Sequence, residues 1–470
     1  MKKTGKHIRY VITLTALILT AVLCIPEQAF ADSVPEYIKV GLRYGGTAVE
    51  SCTVYSETGF ILGNITEEGF SETLPLPAYT SLVATAQNGS VELHDTSGVL
   101  ISADIGNNGC LMPSDYKENG LISVESSRYR GGIMLKANPD RKLTVINYLT
   151  MDEYLYGVLH REMSQGNPLE ALKAQAVTAR SFAVSSMGRH SRDGFDVCST
   201  TDCQVYGGCA DEYPNTSRAV DETSGLLIWS EGEPAPVYYY KNSGGHTQGI
   251  DEVWTSFPQP HLKGVEDPYS PVYPWTAVID FNVIEQKLTL AGYDPGKIKS
   301  VTIGKRNSAG AVSELIISGS KNDIKLEKGS VRSVFGTSLI RSTHFNIGDT
   351  YIGTGNKPVS KSDIKIGSGS RIKDAAEQIY VLSANNNIKS VNSSELYMIS
   401  SSKTVKAKTA EGAVSDFDDS IVAKDGKVTF SGVGYGHGIG MPQDSAIEMA
   451  KQGFTFEEIL KFYFTDIEVR

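Results

Sequence analysis

The order of apolar and polar positions divides the chain into stretches of different period. From residue 36 to 148, short alternations recur between Gly, Asn, Asp and Pro. Tyr37-Ile38-Lys39-Val40-Gly41-Leu42 and Leu143-Thr144-Val145-Ile146-Asn147-Tyr148 are the clearest. Period two bounded by turn residues predicts strands, so this stretch reads as a β-rich N-terminal module. The period then lengthens. Thr150-Met151-Asp152-Glu153 is a capping box that opens a short helix through Tyr154, Leu155, Val158 and Leu159. Asn167 as cap and Pro168 as first residue predict a second helix, along which Leu169, Leu172, Ala176, Ala179 and Ala183 recur at helical spacing. Residues 161–166 form the loop between them.

Strands and loops return over residues 225–335, so residues 149–345 read as one mixed core. Residues 353–370 are rich in Gly, Ser, Lys and Asp and read as a linker. A small β insertion follows, and linker and insertion together fill 346–427. Residues 428–470 hold a glycine motif and two helices that complete the core. One helix runs from about Pro442 to Gln452, and the next starts at the capping box Thr455-Phe456-Glu457-Glu458. No internal repeat is visible. The expected fold is α+β and β-rich: an all-β N-terminal module, a mixed core with a long Ala-rich helix, and a small β insertion near the C-terminus.

The first residues change the compartment. Lys2, Lys3, Lys6 and Arg9 precede an apolar run over residues 11–25, and Ala29-Phe30-Ala31 supplies a small-x-small cleavage signal. That is the layout of a secretory signal peptide over 1–31, with an uncleaved membrane anchor as the alternative. Cys24 is discounted as a lipidation site because Leu23 stands where a small residue belongs. Removing those four basic residues and Glu27 takes the net charge from -10 to -13. So acidic a chain is a poor binder of polyanions, which excludes nucleic acid as a partner. Its length allows two or three domains. Five cysteines remain after cleavage: Cys52, Cys110, Cys198, Cys203 and Cys209. An odd number outside the cytosol means a free thiol, a metal site or an intermolecular bond.

Glu162 is the strongest candidate for chemistry. It falls between two helices, near Gly166 and Pro168. Apolar neighbours such as Tyr156, Leu159 and Met163 would raise its pKa and let it donate a proton near neutral pH. The plain alternative is a surface glutamate paired with Arg161 or Arg180.

Several motifs in order weigh on that choice. Tyr154-Leu155-Tyr156-Gly157-Val158-Leu159-His160-Arg161-Glu162-Met163 is followed by the segment from Pro168 to Ala183 containing Ala179-Arg180-Ser181. Further on stand Thr201-Asp202-Cys203-Gln204-Val205-Tyr206, Ser243-Gly244-Gly245-His246-Thr247 with Trp254, and Gly434-Tyr435-Gly436-His437-Gly438-Ile439-Gly440-Met441-Pro442-Gln443. Together these closely resemble the stage II sporulation protein D family, which also contains the amidase-enhancer proteins. The resemblance covers residues 36–345 and 428–468. It implies a lytic transglycosylase acting on peptidoglycan glycan strands, with Glu162 as the one catalytic group. In the sporulation branch those strands have already lost their stem peptides to a cell-wall amidase. The rival reading is a non-catalytic wall-binding protein that enhances an amidase. A zinc-dependent wall hydrolase is a weaker third, since no His-x-x-x-His or similar catalytic set is present.

The same motifs supply candidate substrate-binding residues: Gln204, Tyr206, Tyr239, Lys241, Ser243, Gly244, Gly245 and His437. Sugar sites use aromatic rings for stacking and amides or hydroxyls for orientation. Arg180 joins them through its motif, although its expected role is to anchor the Glu162 loop. His437 has a structural reading as a packed imidazole, and His246 carries the same two readings. Gly432, Gly434 and Gly436 lack the βαβ context of a nucleotide site, so they read as close-approach glycines. Cys198 and Cys203, with His190, fit either a structural zinc or a disulfide. Relatives that hold zinc here carry His before the second Cys, where this chain has Asp202, so His190, Asp202 or Cys209 would complete the set. Cys52 and Cys110 are candidates for a second bridge. The expected chemistry requires no cofactor. Ala311 departs from relatives that carry Arg after the equivalent of Gly310.

Overall fold

The computed structural model describes residues 35–254, 257–348 and 426–470, and the backbone of six short strands between the last two. The expected signal peptide, and the expected linker apart from the strand Lys365–Ser368, fall outside the described residues. Among the described residues no helix is long and apolar enough to cross a membrane.

The alternating N-terminal segments pair into two facing sheets. The larger runs Val197–Cys198, Tyr37–Arg43, Leu143–Thr150, Gly132–Ala137, Gly109–Pro113, Phe60–Thr66 and Gly69–Leu76 in spatial order. The smaller runs Ser127–Tyr129, Ile122–Val124, Ser51–Tyr55, Ser81–Gln87, Ser90–His94 and Leu100–Ser102. Ile38, Val40, Val54, Leu82, Leu93, Leu135 and Val145 fill the space between them. The outer face of the larger sheet is covered too, by a cluster that includes Ile65, Met134, Ile146, Tyr148 and Phe195. This explains why Leu143–Thr150 is buried almost throughout. Its Asn147 is satisfied internally: Nδ2 donates to the Arg130 and Gly132 carbonyls at 2.9 and 3.0 Å, and Oδ1 accepts from the Tyr206 hydroxyl at 2.8 Å. Cys52 packs between the sheets and Cys110 in the outer cluster, each as a free buried thiol. The proposed bridge between them is therefore corrected.

The helices follow their caps. Helix α1 (Met151–Glu162) opens on the Thr150/Glu153 box, with the Glu153 amide on Thr150 Oγ1 at 3.3 Å and the Thr150 amide on Glu153 Oε2 at 3.0 Å. It runs further than the sequence suggested. Its hydrogen bonds continue to the Met163 amide, which donates to the Leu159 carbonyl at 2.8 Å, so Arg161 and Glu162 form its last turn and Met163 is extended. Helix α2 (Leu169–Ser185) starts one residue late, with Pro168 as its cap, because the Asn167 amide folds back onto the Ser164 carbonyl at 2.9 Å. It is buried on nearly every side. Helix α3 (Pro214–Asp221) packs across both.

Helices α4 (Ile250–Val253), α5 (Phe281–Leu290) and α6 (Ser330–Ser333) belong to the second half. There the sheet Pro274–Asp280, Lys427–Val433, Phe345–Ile347 and the meander Ile298–Arg306, Val312–Gly319, Ile324–Glu327 enclose Trp275, Ile284, Leu315, Phe335 and Phe430. Ala311 is fully buried at the base of that meander. Between Phe345–Ile347 and Lys427–Val433 the six strands pair as three antiparallel hairpins. Helices α7 (Gln443–Lys451) and α8 (Phe456–Tyr463) close the chain, and α8 starts on its expected capping box. Met441, Met449, Leu460 and Tyr463 pack with Ala174 and Val177 of α2. The fold is thus α+β and β-rich.

One local arrangement positions the site. Tyr239–Tyr240 runs parallel to Met441–Pro442, and Asn242 bridges Tyr435. Gly436 (φ 136°) lies so close to Tyr240 that an added Cβ would sit 2.5 Å from its ring. Glycine there lets the C-terminal motif press against residues 239–242 and deliver the start of α7 to the end of α1.

Candidate active site

Glu162 ends α1 at the wall of an open groove of about 430 Å³ that is also lined by Met163, Lys241, Pro271, Asp444 and Ile447. The carboxyl is half-buried. Burial raises its pKa above the ordinary glutamate value, and hydrogen bonding from Tyr239 and Gln443 pulls against that without cancelling it. Gln443, the first residue of α7, also donates Nε2 to the Glu162 carbonyl at 3.1 Å.

Behind the carboxyl runs a chain of buried polar groups. Gln204 Nε2 donates to the Tyr239 hydroxyl oxygen at 3.0 Å, and Gln204 Oε1 accepts from the Tyr154 hydroxyl at 3.2 Å. With its oxygen occupied by Gln204, the Tyr239 hydroxyl is left to donate toward Glu162. Burial and the Glu162 charge hold the Tyr239 phenol well above its usual pKa, so it keeps that proton. His437 braces the same segment. Its Nε2 donates to the Tyr239 carbonyl at 3.1 Å and its Nδ1 accepts from the Ile439 amide at 3.1 Å. Burial drives its pKa down to about 4, so the ring is neutral and structural.

Asp444 is the other carboxyl on the groove, and both its oxygens are engaged. Oδ1 pairs with Lys241 Nζ at 2.7 Å, and Oδ2 accepts from Asn242 Nδ2 at 3.1 Å. Ser243 lies deeper, donating to the buried carboxyl of Asp267 at 2.6 Å. Ser445 and Tyr463 donate to the same carboxyl at 2.6 and 3.0 Å. Gly244 and Gly245, both at positive φ, line a smaller hollow with Asp267 and Tyr273, and Pro271 borders it and the groove.

The structure therefore brings Glu162, Gln204, Tyr239, Lys241 and His437 together, and corrects two other expectations. Arg180 is fully buried and touches no groove. It reaches Asp152 at the start of α1 and the carbonyls of Val220, Thr223 and Leu226, so it ties α2 to α1 and α3, and not to the Glu162 end. Tyr206 is a core residue whose hydroxyl serves Asn147. Gln443, Asp444 and Asp267 were not singled out from the sequence. Gln443 closes the glycine motif and Asp444 follows it at a helix start, which was a usable signal; Asp267 had none.

A separate cluster gathers His190, Cys198, Asp202 and Cys203, with one ligand atom from each lying within 4.8 Å of the others. Cys203 Sγ is 3.5 Å from His190 Nε2, and both thiols are free. Cys209 is not part of it; it interacts with Glu212. Two thiols, an imidazole and a carboxylate are a donor set that suits tetrahedral zinc.

The raised pKa of Glu162 has a stability consequence. In the unfolded chain its carboxyl titrates near 4.3, while in the folded chain it holds its proton to higher pH. Folding stability therefore falls as pH rises through that window and stays lower above it. Glu162→Gln removes this penalty, so the variant melts higher than wild type at pH 7. The gap closes below about pH 4.3, where both side chains are neutral. Melting curves from acid to neutral pH check this; a variant less stable at pH 7 would contradict it.

A half-buried acid at a helix end, facing a polar groove in a β-rich α+β frame, defines the class of site. The Stage II sporulation protein family model matches residues 139–229, the segment that delivers α1, Glu162 and α2. The chain is 30% identical over 390 residues to the amidase enhancer of Bacillus subtilis, covering 81% of this chain and 50% of that protein. It is 32% identical over 212 residues to the stage II sporulation protein D of Bacillus amyloliquefaciens, covering 40% and 60%. Against the stage II sporulation protein D of Bacillus subtilis it is 28% identical over 257 residues, covering 47% and 73%. The chain belongs to the stage II sporulation protein D family. It spans about half the length of the amidase enhancer it matches.

Proposed function

We propose that this protein is an exported lytic transglycosylase that cuts peptidoglycan glycan strands in sporulation or wall remodelling, with Glu162 as both acid and base. One observation carries the reading: the groove has one carboxyl competent for proton transfer. Glu162 is raised toward neutrality, while Asp444 is locked between Lys241 and Asn242.

The chemistry needs no second carboxylate and no water. Neutral Glu162 gives its proton to the glycosidic oxygen as the bond from C1 of N-acetylmuramic acid breaks. The resulting carboxylate, steadied by the Tyr239 hydroxyl, takes the proton of the muramic C6 hydroxyl. O6 then attacks C1 and closes a 1,6-anhydro ring. Glu162 ends protonated, ready for the next cut. A group that must act in both directions works best with a pKa near the working pH, and burial moves Glu162 in that direction against the pull of its two hydrogen-bond donors. Ordinary glycosidases, with paired carboxylates, make reducing ends instead.

Digestion of purified peptidoglycan, intact and stripped of stem peptides, tests this by mass spectrometry. Anhydro-ended fragments are expected. Reducing ends would replace the lyase by a water-using hydrolase. Binding without products would favour the amidase-enhancer reading, which the likeness to that Bacillus subtilis protein supports.

The same reading gives the cysteine cluster a structural role. A zinc ion held by His190, Cys198, Cys203 and Asp202 would clamp the loop after α2 to the edge strand Val197–Cys198. Protein purified without chelator should carry about one zinc per chain, and Cys203→Ser should lose the metal and melt lower. A Cys198–Cys203 disulfide found by thiol titration, without metal, would overturn this.

A further inference from the structure

The groove that holds Glu162 also carries two lysines. Lys241 and Lys451 line it, against Asp444. The two lysines differ in how they are held. Lys451 is an exposed side chain 3.5 Å from Glu448. Lys241 keeps about half its side chain in the open while its Nζ is fixed 2.7 Å from Asp444 Oδ1. Asp444 is itself mostly buried; its amide donates to the Lys241 carbonyl at 3.0 Å. Its second oxygen takes Asn242 Nδ2 at 3.1 Å. Asn242 is 1% exposed and also donates to the Pro271 carbonyl at 3.0 Å. An ammonium has three donors, and Asp444 uses one. The cation is thus preorganised over the groove on a buried frame, so engaging an anion there loses little side-chain freedom.

The glycan offers few partners for a fixed cation. Its hydroxyls, ring oxygens and acetamides are neutral. The exception is the lactyl ether on C3 of muramic acid. Its carboxyl is a neutral amide where a stem peptide is attached and a free carboxylate where none is. We propose that Lys241 is the specificity-determining residue of the groove, taking the free lactyl carboxylate of the muramic acid that Glu162 cuts. Asp444 and Asn242 act as its positioning residues. This rests on the glycan-strand reading above and adds to it a residue that senses whether the peptide is gone. A charge-assisted bond strengthens binding of the carboxylate form and has no counterpart in the amide.

The test uses amidase-stripped glycan strands and the same strands with their lactyl carboxyls coupled to methylamine. Wild type should favour the carboxylate strands by about fivefold to tenfold, chiefly in KM. Lys241→Met should bring that ratio close to one, Lys241→Arg should restore it, and about 0.5 M salt should erode it in wild type. A ratio that survives Lys241→Met, or a wild-type ratio of one, overturns the proposal. Cosedimentation of each protein with the two strand types separates this from the lyase reading. A Lys241-dependent preference in binding without any cleavage keeps Lys241 and sinks the lyase. Equal binding of the two strand types, or none, sinks the proposal whatever the products. If Lys241→Met does not fold, the arginine variant and the salt series decide.

Discussion

Glu162→Gln leaves a folded protein that still binds glycan strands and cuts them at least about 10²–10⁴ times more slowly than wild type. That range is what a single general acid or base contributes; here the same carboxyl serves both proton transfers, so the loss should lie toward its upper end or beyond. Glutamine keeps the size and the hydrogen bonds to Tyr239 and Gln443 but cannot deliver a proton. Wild-type rate should also fall as pH rises past the folded pKa of Glu162, where the acid form is depleted, and that limb should vanish from any residual activity of the variant. Rates on stripped strands across pH, with product ends identified, check both. A variant within tenfold of wild type would move the chemistry to another residue.

Arg180→Met should lose about 3–5 kcal/mol of folding stability, the range for breaking a buried ion pair from one side. Domains are stable by about 5–15 kcal/mol, so the variant should be barely folded at 37 °C. Arg180 is completely buried, and its fork serves four acceptors. Nη1 reaches the Thr223 and Leu226 carbonyls at 2.7 and 3.2 Å, and Nη2 reaches Asp152 and the Val220 carbonyl at 2.9 and 3.3 Å. Methionine fills the space but takes the donor from Asp152 Oδ1 and the Leu226 carbonyl, while the Val220 and Thr223 carbonyls keep their backbone donors. Lysine brings a point charge where two separate nitrogens are needed, so Arg180→Lys should recover only part of the loss. Urea unfolding measures this. A Met variant within 1 kcal/mol of wild type would show that Asp152 and the Leu226 carbonyl find other partners.

The two variants separate what the motifs conflate. Glu162 and Arg180 sit in one continuous signature, and the sequence offers both as site residues. One should remove activity and raise stability at neutral pH; the other should remove stability.

Much of the fold was legible because it depends on local chemistry. The capping boxes at Thr150 and Thr455 start helices where serine-like caps and a glutamate three residues on must start them. The alternating segments became strands, and the Ala-rich stretch became the buried helix α2. Glu162 could be singled out by its motif and its place between two helices, near Gly166 and Pro168, although the sequence put it in the loop and the structure in the last turn of α1. What only the tertiary structure decided is which polar groups meet. Tyr239 and Gln443 stand far from Glu162 along the chain, and nothing in local pattern says that their segments run side by side. Whether an arginine in a helix faces solvent, a substrate or a buried carbonyl depends on α3, which the periodicity of α2 does not encode. The same holds for the cysteines: spacing made Cys198 and Cys203 a pair, but only packing brought His190 and Asp202 to them and left Cys209 aside. Secondary structure follows from neighbours in sequence, whereas burial, pKa and hydrogen-bond partners follow from neighbours in space.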